Sequence, residues 1–167
     1  MTRTASRSNA TNTYLQMIKI DLLQYQSKID FRKGKKLFDP IRKKEIVVTP
    51  EELVRQLLII HLIEKVAYPK SKISVEKQVL VNDLPKRFDI LIHDNEGKPI
   101  LLVECKAPSV KIDEAVLHQV ARYNSTLRVK YFVMTNGIET HCGQINYETG
   151  EIFYLEEIPS YEEVVYE

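Results

Sequence analysis

The sequence predicts an α/β fold in which helices cover the faces of a central mixed sheet. Residues 85–106 carry two apolar runs joined by a polar turn that contains Gly97, which is typical of a β-hairpin. Helical patterns stand before and after this hairpin, and a further apolar run at residues 129–135 follows the second of them. A helix between two neighbouring strands of one sheet makes them parallel, so we predict an αβββαβ core with extra C-terminal strands.

The composition is that of a globular protein of one domain. The 167 residues are 44% hydrophobic and 28% charged, and the formal net charge is only +1. Contact with nucleic acid would therefore need a local basic patch rather than overall charge. The two cysteines, Cys105 and Cys142, form no disulfide framework and fit a reducing, cytoplasmic setting. No apolar run is long enough to span a membrane.

The chain divides into four segments by composition. These are a disordered tail at 1–13, an N-terminal extension at 14–44, a folded domain at 45–158 and an acidic, solvated tail at 159–167. Within the extension, residues 14–26 suit either an outlying strand or a short helix. Residues 28–44 are dense in Lys and Arg, and we expect a basic surface loop that is either simply solvated or in contact with DNA.

The first helix of the domain is predicted to begin at Thr49, with Pro50 at its first position. Its apolar stripe is predicted to be Leu53, Leu57, Ile60 and Ile63. Glu52 has two interpretations, since it suits a capping box and also a carboxylate cluster. Arg55 likewise suits an ion pair with Glu51, one turn earlier, or a contact with phosphate.

The remaining elements follow in order. They are a strand at 73–81, a turn at 82–85, the hairpin strands, a helix from Asp113 to about Leu127, a strand at 129–135, a strand at 138–147 and an edge strand at 151–155. Asn136-Gly137 predicts a two-residue hairpin turn. The apolar stripe of the second helix is predicted to be Ile112, Val116, Val120, Tyr123 and Leu127. Gln119 lies near this stripe, where an amide must find hydrogen-bond partners.

Two acids and a lysine stand at the ends of the paired hairpin strands. Asp89 lies in the first strand, and the second ends in Glu104, Cys105 and Lys106, where alternation places Glu104 and Lys106 on one face. Carboxylates from neighbouring strands can hold Mg²⁺, and a lysine beside them can orient water or stabilise developing charge. The competing interpretation is a solvated acid pair that forms a salt bridge with Lys106. On paired apolar strands, the pattern favours metal-assisted phosphodiester hydrolysis.

These residues resemble the PD-(D/E)xK superfamily of restriction endonucleases and repair nucleases. The segments that carry the resemblance are KRFDILI at 86–92, ILLVECKAP at 100–108, QVARY at 119–123 and MTNG at 134–137. The Gln-x-x-x-Tyr element makes the N-terminal nuclease domain of type I restriction enzyme R subunits the closer resemblance, over about residues 45–158. It implies a restriction-endonuclease-like α/β/α fold and a DNA endonuclease that depends on Mg²⁺, with Mn²⁺ as a substitute.

The resemblance also implies roles for individual residues. Asp89 and Glu104 would bind the metal, Lys106 would assist the attacking water, Gln119 and Tyr123 would support the site, and Glu52 would be the acid of the first helix. Apart from the resemblance, we expect Arg55 and Arg87 to contact nucleic acid.

Two departures from the family bear on function. Phe88 stands where the superfamily has its eponymous proline, which is a loose position. The chain also has no G-x-x-x-x-G-K-[ST] phosphate loop, so it is not the ATP-driven motor of an R subunit. We expect it to act alone, or with restriction-modification subunits or a motor in trans. The alternative functions are a catalytically weak module that binds DNA or a partner, and a nuclease that acts on RNA or other phosphodiesters.

Overall fold

The structure, a computed structural model, describes residues 15–166, apart from the side chain of Tyr123. The predicted tail at 1–13 lies outside the described residues. The strands are β1 (Phe31–Arg32), β2 (Lys36–Asp39), β3 (Lys44–Val47), β4 (Ile73–Val81), β5 (Leu84–His93), β6 (Pro99–Cys105), β7 (Tyr131–Thr135), β8 (Thr140–Ile145) and β9 (Ile152–Leu155), and the helices are α1 (Pro50–Glu64), α2 (Glu114–Leu127) and α3 (Tyr161–Tyr166).

The central sheet has six strands in the order β4-β5-β6-β7-β8-β9. Strands β6 and β7 are parallel because α2 carries the chain back between them, and the other neighbouring pairs are antiparallel. Phe132 of β7 pairs with Gly143 of β8, where a Cβ atom would lie 2.4 Å from the Phe132 ring. This arrangement confirms the predicted α/β class, the mixed sheet and the αβββαβ order.

Helices α1 and α2 pack on opposite faces of the sheet. Ile90 of β5 and Val103 of β6 belong to the apolar core that includes α1. Leu91 and Leu102, their neighbours in the chain, belong to the core that includes α2. Adjacent side chains in a strand point to opposite faces, and here both faces are buried, which explains the nearly continuous apolar sequence of these strands.

Helix α1 begins as the sequence predicts, but its buried face differs from the predicted stripe. Thr49 caps the helix by accepting a hydrogen bond from the Glu52 backbone N–H at 3.1 Å. The buried apolar residues are Val54, Leu57, Leu58, Ile59 and Leu62, whereas Leu53, Ile60 and Ile63 are only partly buried. The helix is apolar on most sides, so spacing alone leaves its inner face undetermined. None of the helices within residues 15–166 combines the length and apolar character that crossing a membrane requires.

The N-terminal extension is more ordered than the predicted basic loop. A 3₁₀ helix at Leu22–Lys28 places Leu22 and Tyr25 in the α1-side core, so the short-helix alternative is correct for this part of the chain. Residues 31–47 then form a three-stranded antiparallel sheet, β1-β2-β3. A chain reversal at Gly34, with φ +73°, pairs the two halves of the Lys-rich segment, and this turn was not recognised from charge alone.

The C-terminal part also corrects two predictions. The loop between β7 and β8 has four residues rather than two, because Asn136 Oδ1 accepts hydrogen bonds from the backbone N–H groups of Ile138 and Glu139. The expected solvated tail contains α3, in which Val164 is buried against the α1-side core. Tyr161 fixes this helix by donating from its hydroxyl to the carbonyl of His93 at 3.1 Å.

Candidate active site

Asp89 and Glu104 lie opposite each other on β5 and β6. The register pairs Ile90 with Val103. Because the strands are antiparallel, the residue before Ile90, which is Asp89, faces the residue after Val103, which is Glu104. Both are buried, with exposed fractions of 8% and 7%. The Cys105 backbone N–H donates to Asp89 Oδ2 at 2.6 Å, which ties the acid of one strand to the backbone of the other. The structure therefore brings the two sequence-predicted acids to one point of the sheet.

Glu104 receives two hydrogen bonds on the same carboxylate oxygen. Lys106 Nζ and Gln119 Nε2 each donate to Glu104 Oε1 at 2.8 Å. The lysine comes from the end of β6 and the amide from α2, which packs on this face of the sheet. Gln119 therefore lies beside Glu104 and Lys106, a position from which it can support the site, and Cys105 is buried in the opposite core.

The charges of this group shift the pKa values of both Glu104 and Lys106 upward. Burial raises the pKa of Glu104, and the negative charges of Asp89 and Glu51 raise it further, against the lowering effect of Lys106. Burial alone would lower the pKa of Lys106, but its hydrogen bond to Glu104 and the surrounding acids outweigh burial and raise it. Lys106 is therefore an ammonium ion at neutral pH and can donate hydrogen bonds but cannot accept a proton.

Arg55 of α1 is the buried counter-ion of the site. Its Nη2 donates to Asp89 Oδ1 at 2.6 Å, and its Nη1 donates to Glu52 Oε2. Only 3% of the residue is exposed, and its Nε is buried without a hydrogen-bond partner in the described part of the chain. A contact of 3.4 Å with Glu51 Oε1 is also present. Arg55 thus forms ion pairs, with Asp89 and Glu52 more closely than with the expected Glu51, and its contact with phosphate stays a prediction.

Glu52 is surrounded by donors from three directions. Besides Arg55, it accepts hydrogen bonds from Arg42 Nη2 at 2.6 Å and from Gln56 Nε2 at 3.0 Å. Its carboxylate therefore joins the N-terminal sheet to α1. The neighbouring Glu51 is half-exposed, and burial, followed by the charge of Asp89, raises its pKa.

Glu76 enters the site from β4, although no sequence pattern selects it. The register of β4 and β5 leaves Glu76 opposite Asp89. Its backbone is left-handed, with φ +52°, so Glu76 does not pair with β5 although the pairing continues on both sides, and its carboxylate lies between two arginines. Its oxygens lie 3.2 Å from Arg55 Nη2 and 3.1 Å from Arg87 Nη1.

Sequence reasoning missed Glu51, Glu76 and Arg42 for different reasons. Glu51 stands in the first turn of α1, where an acid is explained by the helix dipole alone. Glu76 sits in a strand, and its left-handed backbone has no sequence signature. Arg42 looked like one charge among many in a basic segment. Only the position of Glu51, beside Glu52 at the start of the same helix, offered a usable signal.

The two remaining predicted residues have different outcomes. Arg87 is exposed on β5 beside Glu76, so the predicted contact with nucleic acid stays a prediction. The backbone of Tyr123 lies in α2 one turn after Gln119, but its side chain lies outside the described part of the structure.

The donor set suits a magnesium ion held by two carboxylates. Within the described residues, no group of three or more His, Cys, Asp or Glu side chains is arranged to hold a metal ion. Mg²⁺, however, is commonly bound by one or two carboxylates together with water and substrate phosphates. Asp89 and Glu104 supply that pair, and the pKa of Glu104 is raised first by burial and then by the charge of Asp89, both of which a bound cation would offset.

Comparison with known proteins identifies a family and solved structures of similar fold. The family model described as the N terminus of the type I restriction enzyme R protein matches residues 50–159. The fragment structure of a protein described as an HsdR subunit of a type I restriction enzyme, from Vibrio vulnificus YJ016, matches 68% of this chain at 20% identity, with a TM-score of 0.50. The chain spans about a quarter of that structure, 24% of its length, and the likeness concerns the fold. No curated protein sequence matches the chain significantly.

Proposed function

The chain belongs to the family of type I restriction enzyme R protein N termini, and from this premise we propose that it is a Mg²⁺-dependent DNA endonuclease of a restriction system. The observation that carries the proposal is the environment of Glu104. This buried acid lies opposite Asp89 and accepts hydrogen bonds from both Lys106 and Gln119. A structural salt bridge accounts for Lys106 alone, but not for the second buried acid on the neighbouring strand or for the amide that donates to the same carboxylate oxygen.

Asp89 and Glu104 would hold the metal ion. A bound Mg²⁺ would neutralise charge on the phosphate and lower the pKa of a coordinated water. Both donors to Glu104 converge on Oε1, so Oε2 is the oxygen that neither Lys106 nor Gln119 occupies. Asp89 is held in place by the Cys105 backbone N–H and by Arg55, which fixes the distance between the two acids.

Lys106 and Gln119 would position the reacting groups. In hydrolysis a water oxygen bonds to phosphorus, one phosphorus–oxygen ester bond breaks, the water gives up a proton and the leaving oxygen gains one. Lys106, as an ammonium ion, would place positive charge beside the phosphate oxygens as their negative charge increases. Gln119 would hold Glu104 in one rotamer, so that its second oxygen stays directed toward the same point.

A second candidate is a catalytically weak module that binds DNA or a partner protein. The hydrogen bonds of Asp89 favour this weak binding module, because Arg55 and the Cys105 backbone N–H already donate to both carboxylate oxygens. ATP-driven translocation would have to come from another polypeptide or from residues outside these 167, which contain no phosphate loop.

The deciding experiment is incubation of supercoiled plasmid with the protein and Mg²⁺ or Mn²⁺. We expect nicked or linear product with the wild type and with Lys98→Ala, a matched control at an exposed lysine. Lys106→Ala should abolish cleavage. If the plasmid is retarded in a gel but stays intact with both metals, the binding module is the correct function.

The metal is tested by titration calorimetry with Mn²⁺. Asp89→Asn and Glu104→Gln should each weaken binding, since each removes part of a two-carboxylate ligand set. Undiminished affinity in both variants would exclude this metal site.

A further inference from the structure

The small N-terminal sheet and the β4–β5 hairpin enclose a polar cleft beside the candidate active site. Its volume is about 420 Å³. It is lined by Arg42, Lys44, Val75, Glu76, Gln78 and Arg87. Two separate parts of the chain contribute the basic residues, because Arg42 and Lys44 belong to the segment around β3 and Arg87 belongs to β5. The cleft exists only because the Lys-rich segment folds as a sheet and packs next to the central sheet.

Positive charge is concentrated at this cleft. Residues 28–44 carry eight Lys or Arg and two Asp, and two of these cations, Arg42 and Lys44, line the cleft, whereas the whole chain has a formal net charge of +1. Three cations line the cleft against one acid, Glu76. Lys44 and Arg87 are exposed, so an anion can approach them without displacing any core residue. Local charge of this kind, in a nearly neutral protein, is where contact with a phosphate backbone would occur.

A chain of ion pairs connects the cleft to Asp89. Glu76 forms the shared wall, since one of its oxygens contacts Arg87 of the cleft and the other contacts Arg55 of the site. On the other side, Arg42 contacts Glu52, which also binds Arg55. A polyanion that lies in the cleft would therefore lead directly to the predicted metal-binding acids.

The strained backbone of Glu76 aligns Arg87 before any ligand arrives. A left-handed conformation at a residue with a Cβ atom persists only when its surroundings favour it. Here it lets one carboxylate hold Arg87 at 3.1 Å while Arg55 holds the carboxylate. Arg87 is mostly exposed, so this pair is weak in water and a phosphate group can replace or join it. The planar guanidinium matches the geometry of phosphate oxygens.

We propose that this cleft binds the phosphodiester backbone of the DNA strand next to the position of cleavage, through Lys44 and Arg87, with Arg42 holding the wall of the cleft. The proposal rests on the proposed function in naming DNA as the ligand, but it concerns binding and not cleavage. The contacts are to phosphate, so they position the strand and carry no sequence preference.

The test is fluorescence anisotropy with a labelled DNA duplex at several salt concentrations, in the presence of a chelator so that no cleavage occurs. The cleft variant is Lys44→Gln/Arg87→Gln, and the matched control is Lys65→Gln/Lys98→Gln, two exposed lysines that do not line the cleft. Arg42 is left unchanged because it holds Glu52 and Asp39. Equal thermal unfolding of the two double variants establishes that both are folded.

For each lost phosphate contact on duplex DNA, the slope of log K against log salt falls by about 0.9. We therefore expect the cleft variant to lose about 1.8 of the slope and to bind more weakly, while the control keeps the wild-type slope. Equal slopes for the two double variants, or a wild type that does not bind the duplex, would overturn the proposal. Normal plasmid cleavage with equal slopes would refute phosphate binding by the cleft and leave the proposed nuclease function standing. A slope loss without any cleavage would support phosphate binding by the cleft and refute the nuclease function.

Discussion

Replacing Arg55 with methionine removes the cation that neutralises the buried acids around the site. The Arg55 side chain is 4% exposed, and its two buried partners, Asp89 and Glu52, are 11% and 9% exposed. Removal of one partner from a buried ion pair typically costs about 3–5 kcal/mol. Because Glu52 keeps Arg42 and Asp89 keeps the Cys105 N–H, we expect the lower end, about 3 kcal/mol.

The assay is urea denaturation of the full chain in the presence of a chelator, with thermal melting as a second measurement. A protein of this size loses about 2–4 °C of Tm per kcal/mol, so the Arg55→Met variant should melt about 6–12 °C lower. Lys65→Met, at an exposed lysine, is the matched control and should change the free energy of unfolding by about 0.5 kcal/mol or less.

A double-variant cycle shows whether the loss comes from uncompensated charge. In Arg55→Met/Asp89→Asn one of the two buried acids becomes neutral, so we expect about 1–3 kcal/mol of the loss to be recovered. A single-variant loss below about 1 kcal/mol would refute the claim that Arg55 stabilises the acids. If the free-energy changes of the two substitutions are strictly additive, the stability lost in Arg55→Met comes from lost packing and not from uncompensated charge.

Three further predictions concern single positions. Gln119→Ala should leave Tm and metal affinity near native but reduce plasmid cleavage about 10- to 100-fold, and a parallel loss of Tm would make Gln119 merely structural. Glu104→Gln should raise the Tm measured with a chelator at about pH 8, because the pKa of Glu104 is raised on folding and its ionised form therefore destabilises the native state. The gain in Tm should shrink toward about pH 4, and a gain independent of pH would contradict the raised pKa. Gly143→Ala should lower the free energy of unfolding by about 1–3 kcal/mol in urea titration, because its Cβ would meet the fully buried Phe132 ring at 2.4 Å; an unchanged midpoint would show that the ring can move aside.

The elements of the central sheet were predictable because local signals and periodicity agree there. Strand β4 runs over Ile73–Val81 and α2 over Glu114–Leu127, as the sequence predicted, and the N-cap of each long helix is an ordinary one. In α2 the buried Val116 and Val120 stand on the predicted stripe. In α1 the apolar residues surround most of the helix, so the inner face is decided by tertiary packing.

The core of the candidate site was predictable, but its surroundings were not. Asp89, Glu104 and Lys106 lie on strands whose pairing could be read from the sequence. Glu76 joins them only because its backbone leaves the strand conformation, and Arg42 joins them only because a distant sheet packs against α1. Long-range contacts of this kind depend on the completed fold, so no local sequence pattern predicts them.

The N-terminal sheet β1-β2-β3 also bears on where this polypeptide can be truncated or joined to another protein. The family match begins at residue 50, yet residues before it support α1. Thr49 caps the helix, Arg42 donates a hydrogen bond to Glu52, and Leu22 and Tyr25 pack in the same core as the helix. A polypeptide trimmed to the family boundary would keep every proposed catalytic side chain while losing the support of the first helix. The transferable unit, for grafting this fold onto another protein or for exchanging it between relatives, is therefore longer than the segment that sequence similarity marks out.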